Sequence, residues 1–362
     1  QDENYTIKDM YNISGLYRTN LTIPQESNIS LFIEVMDTSN LELTTFNENL
    51  DIEFEKGWRI EPANFNATGV FTDEILTLDS QIHKKILSVS QGIHLVLPAS
   101  FLPTSNALMI PKTSDGRVLF VVPWHNELIL GTTDTPINQT EIEPIALEQE
   151  IEFILATAAA YLTKKPTRSD VLSVFVGLRP LAATQSNHQK TKEISRGHKI
   201  IVASSGLISI IGGKWTTYRK MAQDTVDVIE KKRNITHIPC VTANLFIHGF
   251  FHQTDFTNPL YVYGSDAMLL TKNIQATCNQ FISEQLQIHQ AQIVWAIENE
   301  MARTLEDVLQ RRTRALFLDA KESIRIAQPV AELMAIHLHK DANWVQEQVV
   351  QFTTIAQHYL LN

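Results

Sequence analysis

The sequence predicts a mixed α+β / α/β protein in which an antiparallel sheet domain is followed by an α-helical C-terminal domain. Three observations predict it. β-rich runs crowd residues 93–133 and 171–211, apolar residues recur at helical spacing from Leu147 to Leu162, and helical patterns dominate beyond Pro259. At 362 residues the chain has room for two domains. We place them at 1–240 and 241–362, because the composition shifts after Pro239.

In chain order, residues 1–65 are polar and rich in Asn and Thr, with alternation in Leu31–Val35 and Asp51–Phe54 that predicts β-hairpins. Nothing before Asn66 supplies the hydrophobic first strand that opens most α/β domains. Ile93–Leu97, Val118–Val122 and Leu128–Leu130 are predicted strands of one antiparallel sheet. Leu147, Ile151, Ile154, Leu155, Ala158 and Leu162 form one helical face closed by Lys164-Lys165-Pro166, a helix suited to covering that sheet. Val171–Val176 reads as a strand running into Gly177-Leu178-Arg179-Pro180. Lys199–Ala203 and Leu207–Ile211 read as a hairpin turning at Ser204-Ser205-Gly206. A helix then starts at Thr216 or Thr217, with a buried stripe of Met221, Thr225, Val228 and Ile229 and a basic end at Lys231-Lys232-Arg233. The long helical patterns Ile293–Leu318 and Pro329–Leu361 close the sequence.

Composition restricts function. With 44% hydrophobic and 19% charged residues the chain is an ordinary globular one, and its net charge of −10 disfavours a general grip on nucleic acid or anionic lipid. Cys240 and Cys278 are too few and too far apart for a disulfide framework or a thiolate metal site, and read as reduced thiols of a cytoplasmic protein; no metal is expected. No run reaches the roughly 20 apolar residues that a spanning helix needs, so membrane contact would be peripheral.

Four segments could carry chemistry. Gly212-Gly213-Lys214-Trp215-Thr216 ends an apolar strand and opens a helix, so its free amides, the helix dipole and Lys214 suit an anion or a carbonyl that gains charge. On its own it reads first as a close-packed strand–helix junction. Arg179, stiffened by Pro180, could clamp a phosphate or carboxylate with two prongs, or form a structural ion pair. His94, inside an apolar strand, could serve as a general base or as a hydrogen-bonded core histidine. Thr68 and Gly69, in Asn66-Ala67-Thr68-Gly69, would let a dinucleotide approach closely, as would any tight turn. Gly131-Thr132-Thr133-Asp134 is a polar turn to which the sequence gives no role, and Arg311-Arg312-Thr313-Arg314 reads as a solvated or ion-paired helix face.

Taken in order, these segments resemble the FAD-dependent glycerol-3-phosphate dehydrogenases and oxidases. The series runs through Ala67–Asp73, Ser90–Val96, Gly131–Thr135, Gly177–Leu181 and Gly212–Arg219, and continues in Tyr261–Asp266 and Glu300–Leu309, which look like that family's helical C-terminal domain. The resemblance covers residues 66–361. It implies the remainder of an FAD-binding, amino-acid-oxidase-like domain with a substrate sheet. It also implies oxidation of sn-glycerol 3-phosphate to dihydroxyacetone phosphate, with hydride passing from C2 to flavin N5 and electrons to a quinone, or to oxygen in an oxidase. Arg179 would then hold the phosphate or the C2 oxygen and His94 would take the hydroxyl proton. Lys214 and Gly213 would stabilise the reduced flavin, with Thr68, Gly69, Gly212, Trp215 and Thr216 beside the cofactor. Peripheral contact with the cytoplasmic face of a membrane and a homodimer are further expectations from the resemblance. The departure is that no Gly-x-Gly-x-x-Gly occurs among the thirteen glycines, so the loop that would cradle the FAD pyrophosphate is missing from this sequence. The intact later motifs favour a fragment over a non-catalytic relative with a binding or scaffold role.

Overall fold

The computed structural model describes residues 71–80, 86–113, 116–182, 197–252, 254–276 and 280–361, together with the backbone of four short strands nearer the start. Those strands, β1 (Lys8–Ile13), β2 (Leu16–Asn20), β3 (Phe32–Met36) and β4 (Leu41–Thr45), form two two-stranded sheets. β3 falls on the predicted Leu31–Val35 run; Asp51–Phe54 lies outside the described residues. The chain divides into two compact units, one mainly Asn64–Phe246 with His358–Asn362, the other mainly Ile247–Gln357.

In the first unit, α1 (Thr72–Ser80) precedes the twelve-residue strand β5 (Leu87–Pro98). Asp73 ties the two together, accepting from the backbone amides of Ile86 at 2.9 Å and Leu87 at 3.3 Å. β6 (Leu108–Ile110), β7 (Leu119–Trp124), β8 (Glu127–Gly131), β9 (Thr135–Ile137) and β10 (Ser173–Ala182) complete an antiparallel sheet in the order β10-β5-β8-β7-β6, with β9 also pairing with β5. Successive strand side chains alternate between faces. Ile93, Leu95 and Leu97 of β5, Leu119 and Val121 of β7, and Leu128 and Leu130 of β8 therefore point one way, into a core closed by Ile151, Ile154 and Ala158 of α2 (Glu148–Tyr161). α2 is the predicted covering helix. The opposite face carries Ser90, Gly92 and His94 from β5, which pair in register with Arg179, Gly177 and Phe175 of β10.

β11 (His198–Val202) and β12 (Ile208–Gly212) form the predicted hairpin, and α3 (Tyr218–Arg233) follows a 3-10 turn at Trp215–Thr217. The buried stripe expected on α3 is not realised: none of its residues is buried, and Ile229 is exposed. β12 is the sheet element that packs most against α3, and a two-stranded ribbon is too narrow to cover a helical face.

The second unit contains α4 (Ala267–Ala276), a β13–β14 hairpin (Phe281–Ser283 and Ile288–His289), α5 (Gln290–Asn299), a π-helical turn at Asp307–Arg312, α6 (Ala315–Leu318), α7 (Ala320–Leu338) and α8 (Ala342–Ala356). Asp319 and Asp341 cap α7 and α8 by accepting from the amides of Glu322 and Trp344. Pro329, taken from sequence as the start of a helical pattern, lies inside α7. Asp319 ten residues earlier is the stronger start signal, and α7 carries the proline at the cost of one backbone hydrogen bond and crowding against the carbonyl of Arg325. Arg311 pairs with Glu306 at 2.6 Å and Asp307 at 3.1 Å, the ion-paired reading of the basic run.

Candidate functional site

Arg179 and His94 come together on the face of the sheet that α2 does not cover. Antiparallel register sets Arg179 across from Ser90 and Phe175 across from His94, with two glycines, Gly177 and Gly92, facing each other between them. A methyl group on Gly92 would sit 2.4 Å from both terminal nitrogens of Arg179 and 2.7 Å from Cζ, so the end of the guanidinium lies against bare backbone. A methyl group on Gly177 would meet nothing within 4 Å among the described residues, which leave the space above it open. Across the other neighbour of β5, Gly131 pairs with His94, and a methyl group there would come within 2.3 Å of the imidazole. Three glycines thus leave a floor of main chain beside one cation and one imidazole.

The polar turn Gly131-Thr132-Thr133-Asp134, without a role in the sequence reading, organises this floor. β8 and β9 lie on the same edge of β5, and between them residues 132–134 leave the ladder. The hydroxyl of Thr133 replaces the missing ladder acceptor by accepting from the Ile93 amide at 3.0 Å. From the same turn the Thr133 carbonyl accepts from Arg179 Nη1 at 3.2 Å, the Thr132 hydroxyl accepts from Nη2 at 3.1 Å, and an oxygen of Asp134 lies 3.7 Å from Nη1. Those contacts hold the guanidinium along one edge. Among the described residues, neither the hydroxyl of Ser90, fully buried beside it, nor the nearer oxygen of Asp134 has a hydrogen-bond partner. Buried polar atoms of this kind are uncommon and are satisfied readily by a ligand or water.

His94 stacks on Phe175, with ring centroids 5.0 Å apart and planes inclined by 17°. Burial foremost, and then the charge of Arg179, pull its pKa from 6.5 down to about 4, so the ring is neutral at pH 7. The consequence for stability has a definite sign. The unfolded chain binds a proton at His94 below about pH 6.5, whereas the folded chain does so only near pH 4. Stability present above pH 6.5 is therefore lost as pH falls, by about 2 kcal/mol between pH 6.5 and 5. Urea denaturation of the native protein and of His94→Gln should show the native protein losing that much more than the variant over this interval. Parallel pH profiles would contradict the assignment.

The Gly212–Thr216 segment forms a separate feature at the end of β12, a strand that packs beside β10. Gly212 and Gly213 adopt φ of 69° and 89°, and a methyl group on Gly213 would lie 2.5 Å from the sulfur of Met221. Only glycine suits that corner. Thr217 closes it, donating to the Lys214 carbonyl at 2.9 Å and accepting from the Lys214 amide at 3.3 Å. Trp215, half exposed, stacks on Tyr218 at 5.2 Å. Thr68 and Gly69 lie outside the described residues. Sequence reasoning singled out the Gly131–Asp134 turn without a role and gave none to Gly92 or Glu150; counting by twos from His94 would have found Gly92 on the same strand face.

Among the described residues no helix is long and apolar enough to cross a membrane. Residues 47–219 match the model of the FAD dependent oxidoreductase family, and residues 206–345 match the C-terminal domain of alpha-glycerophosphate oxidase. The mitochondrial glycerol-3-phosphate dehydrogenase of Mesocricetus auratus is 36% identical over 300 residues, covering 75% of this chain and 40% of that protein. Its Homo sapiens counterpart is 35% identical over 311 residues, covering 78% and 42%. The probable mitochondrial enzyme of Dictyostelium discoideum is 35% identical over 321 residues, covering 82% and 49%. The chain spans about two fifths to one half of the length of these relatives. Among solved structures, the glycerol-3-phosphate dehydrogenase from Bacillus halodurans complexed with FAD shares the fold, with a TM-score of 0.67 at 24% identity over 91% of this chain and 68% of that one.

Proposed function

Because this chain belongs to the family of FAD-dependent glycerol-3-phosphate dehydrogenases, we propose that its sheet face takes part in oxidising sn-glycerol 3-phosphate to dihydroxyacetone phosphate. The observation that carries this reading is the guanidinium of Arg179 held against a side-chain-free floor beside a neutral imidazole. A small polar anion fits such a place. Arg179 offers charge-assisted donors to a phosphate or to the C2 oxygen. The neutral ring of His94 accepts the proton of the C2 hydroxyl as C2 gives up its hydride. The product then carries a ketone at C2, and the proton rests on the imidazole.

FAD fits the residues present. The open space above Gly177 is one that a side chain would fill, and the positive-φ corner at Gly212-Gly213 aims the start of a helix outward with Lys214 beside it. When bound, FAD supplies the two-electron acceptor for the hydride. Gly212, Gly213, Lys214, Trp215 and Thr216, with Thr68 and Gly69, would hold it. Backbone amides and a lysine there suit a ring system that gains negative charge. Transfer of electrons to a quinone at a membrane surface, on a cytoplasmic protein touching the membrane from outside, completes the reading, and a homodimer is compatible with it.

Protein purified with FAD is expected to absorb as a flavoprotein and to bleach when glycerol 3-phosphate is added without oxygen. A flavin that stays oxidised under excess substrate would overturn the reading. The match to an oxidase C-terminal domain gives the oxygen-using alternative some support. Peroxide formed in air, measured against quinone reduction, separates the two.

A further inference from the structure

A heavily hydrogen-bonded side chain next to the site lies on the other side of the sheet. Glu150, in the first turn of α2, is 2% exposed. One of its oxygens accepts from the hydroxyls of Thr133 at 2.7 Å and Thr135 at 2.6 Å. The other accepts from Gln91 Nε2 at 2.8 Å and the Leu147 amide at 3.2 Å. Gln91 is fixed in turn by donating to the Ile145 carbonyl at 3.0 Å. Burying a carboxylate is costly unless donors replace its water, and here four do. Helix α2 could be capped by any carboxylate at this position. Capping alone would not need two threonines and a glutamine from the sheet.

The geometry points to Glu150 as a positioning residue for Arg179. Glu150 binds Thr133 by its hydroxyl, the same hydroxyl receives the Ile93 amide, and the Thr133 carbonyl receives Arg179 Nη1. Two contacts joined through Thr133, and braced by the Ile93 amide, therefore run from the core helix, through the turn at residues 132–134, to the guanidinium on the open face. Glutamine cannot reproduce it. The Leu147 amide and Gln91 demand an acceptor on one side, so the new NH2 must face Thr133 and Thr135, whose hydroxyls lose the charged acceptor they now donate to and must turn to accept instead. The turn shifts, and the Thr133 carbonyl moves with it. Glu150 touches neither substrate nor cofactor on this account, and its role rests on the reading that Arg179 binds the substrate anion.

The test uses the flavin-loaded protein and two readouts, steady-state kcat/KM for glycerol 3-phosphate and the calorimetric Kd of dihydroxyacetone phosphate, which binds without turnover. Arg179→Ala, Glu150→Gln and the double variant form a cycle. Glu150→Gln alone should weaken product binding about tenfold to a hundredfold, the range for losing an aligned hydrogen bond to a charged group. In the Arg179→Ala background the same change should cost nothing further. Equal losses in both backgrounds, or no loss in the single variant, would overturn the positioning role while leaving the substrate reading intact. An Arg179→Ala variant that binds product normally would overturn both. Should Glu150→Gln fail to fold, Thr133→Val breaks the same chain one link later, and Thr133→Ser should restore it; Thr133→Val binding product like the native protein also overturns the proposal.

Discussion

Replacing Arg179 with alanine is expected to lower kcat/KM for glycerol 3-phosphate by two to three orders of magnitude, chiefly through a raised KM. Truncating one partner of a hydrogen-bonded charge pair costs about 2–5 kcal/mol, and each 1.4 kcal/mol is roughly a factor of ten. The loss should be larger than that of a surface arginine because the guanidinium is already aligned by Thr132 and Thr133 before substrate arrives, so little ordering remains to be done on binding. Lysine should recover only part of the activity, since one ammonium cannot span both the turn and a phosphate. Steady-state kinetics over a wide substrate range would check this; a variant with native KM and kcat would remove Arg179 from the site.

Alanine at Gly131 is expected to do comparable damage by a different route. The added methyl would sit 2.3 Å from Cδ2 of His94, and that ring is pinned between Gly131 and Phe175. Unlike a long side chain, a stacked and largely buried imidazole has little room to swing aside, so the strand or the ring must move. Overpacking of this kind costs about 1–3 kcal/mol, and misplacing a proton acceptor by even an ångström can cost on the order of a hundredfold in rate. Thermal melting together with flavin reduction kinetics would show both losses. A variant as stable and as fast as the native protein would mean that His94 is free to relocate and is not fixed for proton transfer.

Much of this fold was legible because its signals are local. The alternation in β5, β7 and β8 and the 3.6-residue stripe of α2 follow from one face being buried, and the structure puts those same side chains in the core. Pro329 misled because a proline is read as punctuation, although α7 absorbs it ten residues past its Asp319 cap. α3 misled in the opposite way: its apolar spacing is present, yet the neighbouring ribbon is too narrow to bury it. Arg179 and His94 could be nominated singly from the strands that carry them. That they meet could not, because it depends on the register of β10 and β8 against β5. Glu150 was invisible as anything but a helix-start residue, since its partners Gln91, Thr133 and Thr135 are 59, 17 and 15 residues away.

The paving of the site by Gly92, Gly131 and Gly177 has a consequence for how its specificity can change. No smaller residue exists, so every single substitution at these positions narrows the space, and none widens it. A drift toward bulkier substrates is therefore closed to the floor and must come from the walls, at Phe175 or at the reach of Arg179. A drift toward smaller substrates, or toward a dead protein, lies one codon away at each of the three positions. The site is open at its maximum aperture, and change from there runs in one direction only.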